Sequence, residues 1–173
     1  MNTIFFDRDG VINDVVMREG LVSSPRTISE FQLRPDFIAA YQQICNFDLG
    51  MFVVSNQPDV SRELLSAESL NGMTAILDER FNFKEVVYCI HDNHHQCLCR
   101  KPKPGMLNYL VEKYDIDRAK AIFIGDSSKD VIAGAAAGIR TIYLRNLYSK
   151  LVDCQPDFIV DNLEQIVAII GRG

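Results

Sequence analysis

Residues 5–10 have the sequence FFDRDG, and this stretch decides how the fold is interpreted. The apolar run over residues 3–6 predicts a first β-strand, so Asp7 and Asp9 stand where a buried strand leaves its sheet. Ionised carboxylates are costly to crowd together unless a cation holds them, and Mg²⁺ prefers oxygen ligands. A carboxylate beside Mg²⁺ can also attack phosphorus. On this stretch alone a solvated turn is an equal alternative, since Asp and Gly are ordinary turn residues.

The size and composition of the chain indicate one globular domain over residues 1–173. A chain of 173 residues can bury a substantial core, and 47% hydrophobic with 24% charged residues is ordinary for a soluble protein. The net charge of −5 argues against a nucleic-acid-binding protein, because such proteins usually have a basic face. It leaves a small anionic substrate open, because local basic residues decide that.

The N-terminus and the hydropathy pattern predict a cytoplasmic protein. The chain does not begin with a basic segment followed by a long apolar one, as a signal peptide would. No apolar run approaches the roughly 18 residues of a membrane span, so no membrane partner is expected. In a reducing compartment the five cysteines indicate thiols or metal ligands rather than disulfides. We expect the protein to be a monomer.

Short apolar runs alternate with helical patterns along the chain. The predicted strands cover residues 3–6, 51–55, 85–89, 121–125, 141–144 and 157–160. The predicted helices begin at Pro35, at Ser66 as a cap, at Pro104, at Ser127 as a cap and after Asn162, and they end near Phe47, Asn82, Val111, Gly138 and Ile170. This alternation is typical of an α/β fold with a mostly parallel sheet, in which ligands bind at the carboxyl ends of the strands. The long connection over residues 13–34 is interpreted as a substrate-facing flap or a small hairpin.

Reactive side chains follow the predicted strands where these end. Asp7 and Asp9 follow the first strand, Ser55 ends the second, and Asp126 follows the fourth. Lys101 lies in a basic cluster that leads into the third helix. At one edge of a parallel sheet, this set would supply an anionic nucleophile, a Mg²⁺ site, donors for phosphate oxygens and an acid. Phosphoryl transfer needs these groups.

In this interpretation Asp7 attacks phosphorus, and Asp9 protonates the leaving oxygen and then activates water to hydrolyse the aspartyl-phosphate. Ser55 and Lys101 hold the phosphoryl oxygens. Asp7, Asp126 and the backbone carbonyl of Asp9 bind Mg²⁺. Each residue also has a structural alternative, such as a strand-end hydroxyl, a surface charge or a helix cap. Their joint occurrence in this order favours the catalytic interpretation.

At these motifs the chain resembles the haloacid dehalogenase (HAD) superfamily of phosphatases. The matching segments are residues 7–10 (DRDG), 55–57 (SNQ), 100–106 (RKPKPGM) and 125–126 (GD), together with Asp130. They occur in the order of that family, with Asp130 expected to orient the ligands of the cation. The resemblance implies the same catalytic roles and a three-layer, Rossmann-like sheet.

A second group of residues predicts a zinc site in an inserted loop, residues 89–99. Cys89, His91, Cys97 and Cys99 give the pattern C-x-H-x₅-C-x-C, and four such ligands can close around one tetrahedral Zn²⁺. This set leaves no open position, so the zinc is expected to be structural and to stiffen the basic segment that follows. Free thiols in a polar loop, or iron in place of zinc, are the alternatives.

The remaining cysteines and histidines have weaker interpretations. His94 or His95 could replace His91 as a ligand, although the symmetric spacing favours His91. Cys45 and Cys154 are interpreted as packing residues.

The zinc loop, followed at once by Arg-Lys-Pro, resembles two groups of small HAD enzymes without a large cap domain. These are the D-glycero-D-manno-heptose 1,7-bisphosphate phosphatases and the histidinol-phosphate phosphatases. Residues 104–106 are more similar to the heptose group, and the short loop between the cysteines is more similar to the histidinol group. Two departures lie near the expected substrate: Ile90 replaces the usual proline, and residues 58–61 (PDVS) replace the more common SGIA.

The substrate implied by this resemblance is a small phosphorylated sugar, a heptose bisphosphate on the route to surface-polysaccharide precursors. Histidinol phosphate is the alternative. Arg100 is the first candidate for a contact beyond the transferred phosphate, because a guanidinium can bind a second phosphate or sugar oxygens bidentately. Asn56 is a further candidate, and Arg18, Arg26 and Lys129 are weaker ones, since each of these is more often a surface charge.

Two other classes of protein are also considered. A phosphoacceptor signalling domain uses carboxylates, Mg²⁺, a hydroxyl and a lysine on a parallel sheet, but it lacks the second acid. Asp9 therefore favours turnover over a lasting phosphoaspartate. A non-catalytic, zinc-stabilised binding module would have no use for Asp7, Asp126 and Lys101 at one edge.

Overall fold

A six-stranded parallel sheet forms the centre of the structure, a computed structural model that describes residues 1–171. The strands are β1 (Thr3–Phe6), β2 (Val16–Arg18), β3 (Leu21–Ser23), β4 (Gly50–Asn56), β5 (Glu85–Cys89), β6 (Ala121–Gly125), β7 (Arg140–Leu144) and β8 (Phe158–Val160). The described residues thus form eight strands, of which six belong to this sheet and two, β2 and β3, form a separate hairpin. The order in the sheet is β5-β4-β1-β6-β7-β8, with parallel pairing throughout. The chain therefore winds outward from β1 in both directions, which leaves a crevice at the carboxyl end of β1.

The helices lie between the strands, as the alternating pattern predicts. They are α1 (Pro35–Ile44), α2 (Ala67–Arg80), α3 (Gly105–Tyr114), α4 (Ser128–Ala136) and α5 (Leu163–Ile170). The predicted caps Ser66 and Asn162 are confirmed, because each side chain accepts a hydrogen bond from a backbone N–H in the first turn of its helix. The first helix ends at Ile44, before the predicted end near Phe47, where the chain tightens into a turn.

Helices cover both faces of the sheet, and the side chains of β1 alternate between the two faces. Ile4 and Phe6 pack into the core beneath α1, α2 and α5. Phe5 packs on the opposite face against α3 and α4. The same period-2 alternation continues through β4 and β6, so the central strands are buried on both sides. This arrangement confirms the predicted three-layer α/β fold.

The long connection after β1 contains a small hairpin. Strands β2 and β3 pair antiparallel, and a short helical turn, Ile28–Glu30, follows them. Hairpin residues Arg18, Leu21 and Val22 line the cleft described below, so the segment is both a hairpin and one wall of that cleft. No large cap domain is inserted anywhere in residues 1–171.

No helix in the described part of the chain has the length and apolarity needed to cross a membrane. The assignment of a single domain to residues 1–173 stays a prediction, and residues 172–173 lie outside the part that the structure describes.

Candidate active site and metal cluster

Three strand ends and one loop bring the predicted catalytic side chains to the same edge of the sheet. Asp7 and Asp9 follow β1, Ser55 lies near the end of β4, and Asp126 follows β6. Lys101 comes from the loop before α3. Because β1 pairs with both β4 and β6, these side chains are neighbours, and all five line one cleft of about 780 Å³. A cleft of this size can hold a small molecule.

Lys101 is buried at the centre of the site, with 3% of its surface exposed. Its ammonium lies 2.8 Å from Asp7 Oδ1 and 2.7 Å from Asp130 Oδ1, and it donates to the carbonyl of Val54 at 3.0 Å. Burial lowers the pKa of Lys101, but the charges of Asp130 and Asp7 outweigh burial and hold the pKa above its usual value. Lys101 is therefore a permanently charged donor at the floor of the cleft.

Three carboxylates crowd around this ammonium. Oxygens of Asp7, Asp126 and Asp130 lie within 4.8 Å of one another, and all three residues are buried. Burial and the charge of Asp130 raise the pKa of Asp7 well above its usual value and that of Asp126 to about 7. One ammonium against three carboxylates leaves negative charge that a hard divalent cation would balance. The donor set thus fits Mg²⁺, and it includes Asp130 as a third carboxylate within reach.

Asp9 points to a separate set of partners. The guanidinium of Arg8 is fully buried and pairs with the Asp9 carboxylate at 2.9 Å. Asn13 donates a hydrogen bond to Asp9 Oδ1 at 2.9 Å, and Gln57 donates one to Asp9 Oδ2 at 2.8 Å. Burial raises the pKa of Asp9, but the charge and hydrogen bonds of Arg8 outweigh burial, and the pKa lies below its usual value. The ring of Phe31 lies over the guanidinium. Sequence reasoning missed this role of Arg8, because an arginine between two acids carries no signal of burial.

Ser55 and Asn56 make different contacts at the end of β4. The hydroxyl of Ser55 accepts a hydrogen bond from Gln57 at 2.9 Å, which leaves its proton available as a donor. Asn56 binds the backbone of Lys101 with both ends of its amide, each at 3.0 Å. This contact fixes the loop that carries Lys101. A direct contact of Asn56 with a substrate stays a prediction.

The predicted zinc ligands converge on one point. The Sγ atom of Cys89 lies 3.6 Å from that of Cys97 and 3.3 Å from that of Cys99. The Nδ1 atom of His91 lies 3.7 Å from the sulfur of Cys89 and 3.3 Å from that of Cys99. A tetrahedral zinc ion with bonds of about 2.3 Å separates its ligands by about 3.8 Å, close to these distances. Donor type and spacing therefore fit zinc.

The other cysteines and histidines lie outside this cluster. The Nδ1 atom of His95 accepts a hydrogen bond from the backbone N–H of Asp92, which caps the short turn Asn93–His95. Cys45 is exposed at the end of α1, so its interpretation as a packing residue is wrong. Helical periodicity turns Ile44 inward and leaves the next residue on the outer side. Cys154 is half-buried.

The loop over residues 89–99, here called the metal loop, holds the side chain of Arg100 in place. Its guanidinium donates to the side-chain oxygen of Asn93 at 3.0 Å and to the backbone carbonyl of His91 at 3.2 Å. His91 therefore offers its ring to the metal cluster and its carbonyl to Arg100. This contact is consistent with the predicted task of the loop, which is to stiffen the basic segment beside the cleft.

Basic side chains surround the cleft. They are Arg18, Arg26, Arg62, Arg100 and Lys129. Arg18 pairs with Glu30 and also donates to the carbonyl of Ser24. Within residues 1–171, Arg100 and Lys129 form no ion pair with an acidic side chain. Their charges are therefore available to an anionic group in the cleft.

Asp59 and Arg62 together join three loops around the cleft. Its carboxylate pairs with Arg26, from the segment after the hairpin, at 2.7 Å and with Arg62 at 3.2 Å. Arg62 also pairs with Asp92 of the metal loop at 2.7 Å. Asp59 belongs to residues 58–61, where the chain departs from the related families. In this chain the segment therefore takes part in an ionic connection between loops.

We expect Asp59→Asn to lower the free energy of unfolding by about 1–2 kcal/mol, measured by urea denaturation. Asp59 is buried while Arg26 and Arg62 are partly exposed. The expected loss of stability is therefore larger than for a surface ion pair and smaller than for a fully buried one. Asp117→Asn is the matched control, because its pair with Lys120 is exposed on both sides, and a change below about 0.5 kcal/mol is expected there. Equal effects of the two substitutions would contradict the connecting role of Asp59.

The loop after β7 also contacts the site, although no motif predicts it. Asn146 and Tyr148 both donate to Asp126 Oδ2, at 3.1 and 3.0 Å, and Ser149 donates to the backbone carbonyl of Asp126. These residues follow Asp126 by some twenty positions, so only the pairing of β6 with β7 brings them to it.

Comparisons with known proteins identify relatives of the chain. The HAD-hydrolase-like family model matches residues 98–166. A D-glycero-beta-D-manno-heptose-1,7-bisphosphate 7-phosphatase of Vibrio cholerae is 31% identical over 150 residues, which cover 80% of this chain and 77% of the relative. The enzyme of the same name from Pseudomonas aeruginosa is 32% identical over 158 residues, covering 88% and 78%.

A solved structure supports the fold. It is the D,D-heptose 1,7-bisphosphate phosphatase from B. bronchiseptica, complexed with magnesium and phosphate. Its TM-score is 0.83 at 24% sequence identity, over 99% of each chain.

The chain is a HAD-like hydrolase. Within the class it belongs to the family of the D-glycero-D-manno-heptose-1,7-bisphosphate 7-phosphatases. As a member it is a phosphoric monoester hydrolase.

Proposed function

We propose that the protein is a Mg²⁺-dependent phosphatase that removes the 7-phosphate of D-glycero-D-manno-heptose 1,7-bisphosphate. The observation that carries the proposal is the contact of Asp7 with Lys101, 2.8 Å, beside two more buried carboxylates in a cleft surrounded by basic side chains. Such a cleft suits a substrate with one reacting phosphate and a second anionic group. The names of the relatives support the choice of sugar.

Asp7 is the proposed nucleophile: its attack on phosphorus forms an aspartyl-phosphate and breaks the P–O bond to the sugar, whose oxygen takes a proton from Asp9 and leaves as a hydroxyl group. The hydroxyl of Ser55 donates to a phosphoryl oxygen, and the ammonium of Lys101 attracts the phosphoryl oxygens by its charge, because its three N–H groups already contact Asp7, Asp130 and the Val54 carbonyl. Asp7, Asp126 and the backbone carbonyl of Asp9 would hold Mg²⁺, which when bound supplies positive charge between the nucleophile and the phosphate. Lys101 contributes a second positive charge that needs no reorganisation, because three contacts already fix its ammonium.

Asp9 is the proposed acid and base. Its lowered pKa makes it ionised in the free protein, the form that activates water to hydrolyse the aspartyl-phosphate. The first step needs the protonated form, and the negative charge of an arriving phosphate favours protonation of a nearby carboxylate. Arg8, Asn13 and Gln57 keep the carboxylate in one orientation for both steps.

The remaining proposals concern the second metal, the substrate contacts and the assembly. The cluster of Cys89, His91, Cys97 and Cys99 is proposed to hold a structural zinc ion, because its four protein ligands leave no position for a substrate. Arg100 is proposed to bind the anionic group that does not react. We also propose that the protein is a monomer, since one chain supplies every group named here, and that it is located in the cytoplasm. Size-exclusion chromatography with light scattering tests the monomer directly.

Phosphate release tests the substrate. The purified protein with Mg²⁺ is assayed on both anomers of the heptose 1,7-bisphosphate, on the heptose 1-phosphate and on histidinol phosphate. We expect kcat/KM to be highest for a bisphosphate anomer, with the 1-phosphate as the product and not a substrate. A preference for histidinol phosphate would contradict the proposed sugar substrate but would still support the proposed phosphatase activity. Absence of turnover on every compound would overturn the proposed function.

Gly10 leads to a prediction about the geometry of the site. It has φ +85°, and a Cβ atom there would lie 2.0 Å from Asp126 Oδ2. We expect Gly10→Ala to lower kcat by about 100-fold, because the added methyl group pushes a carboxylate of the site by an ångström or more. Steady-state phosphate release measures the effect.

Gly20→Ala is the matched control for Gly10→Ala. Gly20 has a similar φ of +78°, but a Cβ atom there would meet nothing within 4 Å. Both substitutions therefore share the backbone strain of about 1–2 kcal/mol, and only the first one disturbs Asp126. Comparable losses of kcat in the two variants would show that strain, not the contact with Asp126, is responsible.

A further inference from the structure

The two carboxylate oxygens of Asp126 have different surroundings. Oδ2 accepts hydrogen bonds from the Tyr148 hydroxyl at 3.0 Å and from the Asn146 amide at 3.1 Å. Within residues 1–171, no side chain or backbone group donates to Oδ1. One oxygen is therefore occupied by the protein, and the other remains available to a cation.

The loop that supplies these donors is itself held in place. The side-chain oxygen of Asn146 accepts hydrogen bonds from the backbone N–H groups of Tyr148, at 3.1 Å, and Ser149, at 2.7 Å. The Tyr143 hydroxyl lies 2.9 Å from the Ser149 hydroxyl, which donates to the backbone of Asp126. Tyr148 thus reaches the carboxylate from a loop whose backbone is already ordered.

Gly10 makes room for this contact. A Cβ atom at Gly10 would lie 2.6 Å from the Tyr148 hydroxyl oxygen as well as 2.0 Å from Asp126 Oδ2. The glycine that follows the two acids therefore leaves the space in which the hydroxyl meets the carboxylate. Tyr148 and Ser149 also line the cleft, so this loop is part of the site and not an outer support.

We propose that Tyr148 is a positioning residue that makes Asp126 present only Oδ1 to the cation. The proposal rests on the proposed function, in which Asp126 is a ligand of Mg²⁺. Two donors on Oδ2 occupy the lone pairs that binding through both oxygens would need. Partners that orient a metal ligand in this way commonly change the affinity for the metal 10–100-fold.

Tyr148→Phe removes the hydroxyl and keeps the ring. Binding of Mn²⁺ to the substrate-free protein is followed by electron paramagnetic resonance, with Mg²⁺ as the competitor. We expect the dissociation constants of both cations to rise about 10-fold. An unchanged dissociation constant would overturn the proposal.

Three further variants separate the possible causes. Tyr143→Phe removes a hydroxyl that anchors the same loop without touching the carboxylate, and Tyr109→Phe removes one on the far surface. Wild-type cation affinity in Tyr143→Phe and Tyr109→Phe supports a direct effect of the Tyr148 hydroxyl on Asp126. A loss of affinity in Tyr143→Phe equal to that in Tyr148→Phe overturns the proposal, because it shows that the order of the loop is what matters. Asp126→Asn tests the underlying site. Cation binding unaffected by Asp126→Asn would refute the proposed Mg²⁺ site itself, and with it the role of Tyr148.

Discussion

Replacement of Asp7 by asparagine is expected to lower kcat for phosphate release by at least about 10⁴-fold. An amide cannot act as the nucleophile, and no neighbouring acid is placed to replace it. Asp126 is held by Tyr148, and Asp130 is held by Ser127 in the cap of α4. Single-turnover kinetics, with the aspartyl-phosphate trapped by acid quench and located by mass spectrometry, measure the loss of both chemical steps.

Asp48→Asn is the control for this substitution, because Asp48 is an exposed acid and its replacement removes the same charge from the chain. We expect wild-type kinetics for it. Substantial turnover by Asp7→Asn would contradict the assignment of the nucleophile. A wild-type protein that becomes phosphorylated on Asp7 but releases phosphate very slowly would instead support the phosphoacceptor signalling domain.

Loss of the metal cluster is expected to produce the largest change in stability. Cys99 is the ligand to replace, since its sulfur lies 3.3 Å from both the Cys89 sulfur and the His91 ring nitrogen. We expect Cys99→Ser to lower the free energy of unfolding by at least about 4 kcal/mol, because binding of a structural metal contributes directly to folding. Urea denaturation measures the change, and elemental analysis measures the metal content of the same samples.

Cys45→Ser is the matched control, because Cys45 is an exposed thiol outside the cluster. It should keep the metal content and the stability of the wild type. Elemental analysis of the wild type also decides between zinc and iron. Wild-type stability in Cys99→Ser, with no metal in either protein, would contradict a structural metal site. In that case the thiols would be free.

Cys99→Ser should also affect substrate binding. The carbonyl of His91 accepts a hydrogen bond from Arg100, so a disordered metal loop releases this guanidinium. If Arg100 binds the second anionic group, KM rises while the groups around Asp7 and Lys101 keep their contacts.

Most of the secondary structure could be predicted from the chain itself. The strands Thr3–Phe6, Glu85–Cys89 and Ala121–Gly125 have the predicted bounds, because each is a short run rich in apolar residues. Thr3–Phe6 and Ala121–Gly125 are buried in the middle of the sheet, whereas Glu85–Cys89 is a largely half-buried edge strand. Helix caps such as Ser66 and Asn162 were also predictable, because a cap depends only on residues within one turn.

Some residues of the candidate site could also be predicted from the sequence, whereas the residues that contact them could not. Asp7, Asp9, Ser55 and Asp126 could be placed at strand ends, and the metal ligands lie within one short segment of sequence. Their partners could not be found this way. Arg8 lies next to Asp9 in the chain, yet its burial beneath Phe31 depends on a loop more than twenty residues away.

The sequence by itself determined the order of strands and helices, the acids that follow them and the four candidate metal ligands. These depend on local periodicity, capping and spacing, which a few neighbouring residues carry. Only the tertiary structure decided that Asn56 holds the backbone of Lys101, that Asp59 and Arg62 together join three loops and that Tyr148 occupies one oxygen of Asp126. Such contacts join residues far apart in the chain, and they form only when the strand order and packing bring separate loops to the edge of β1.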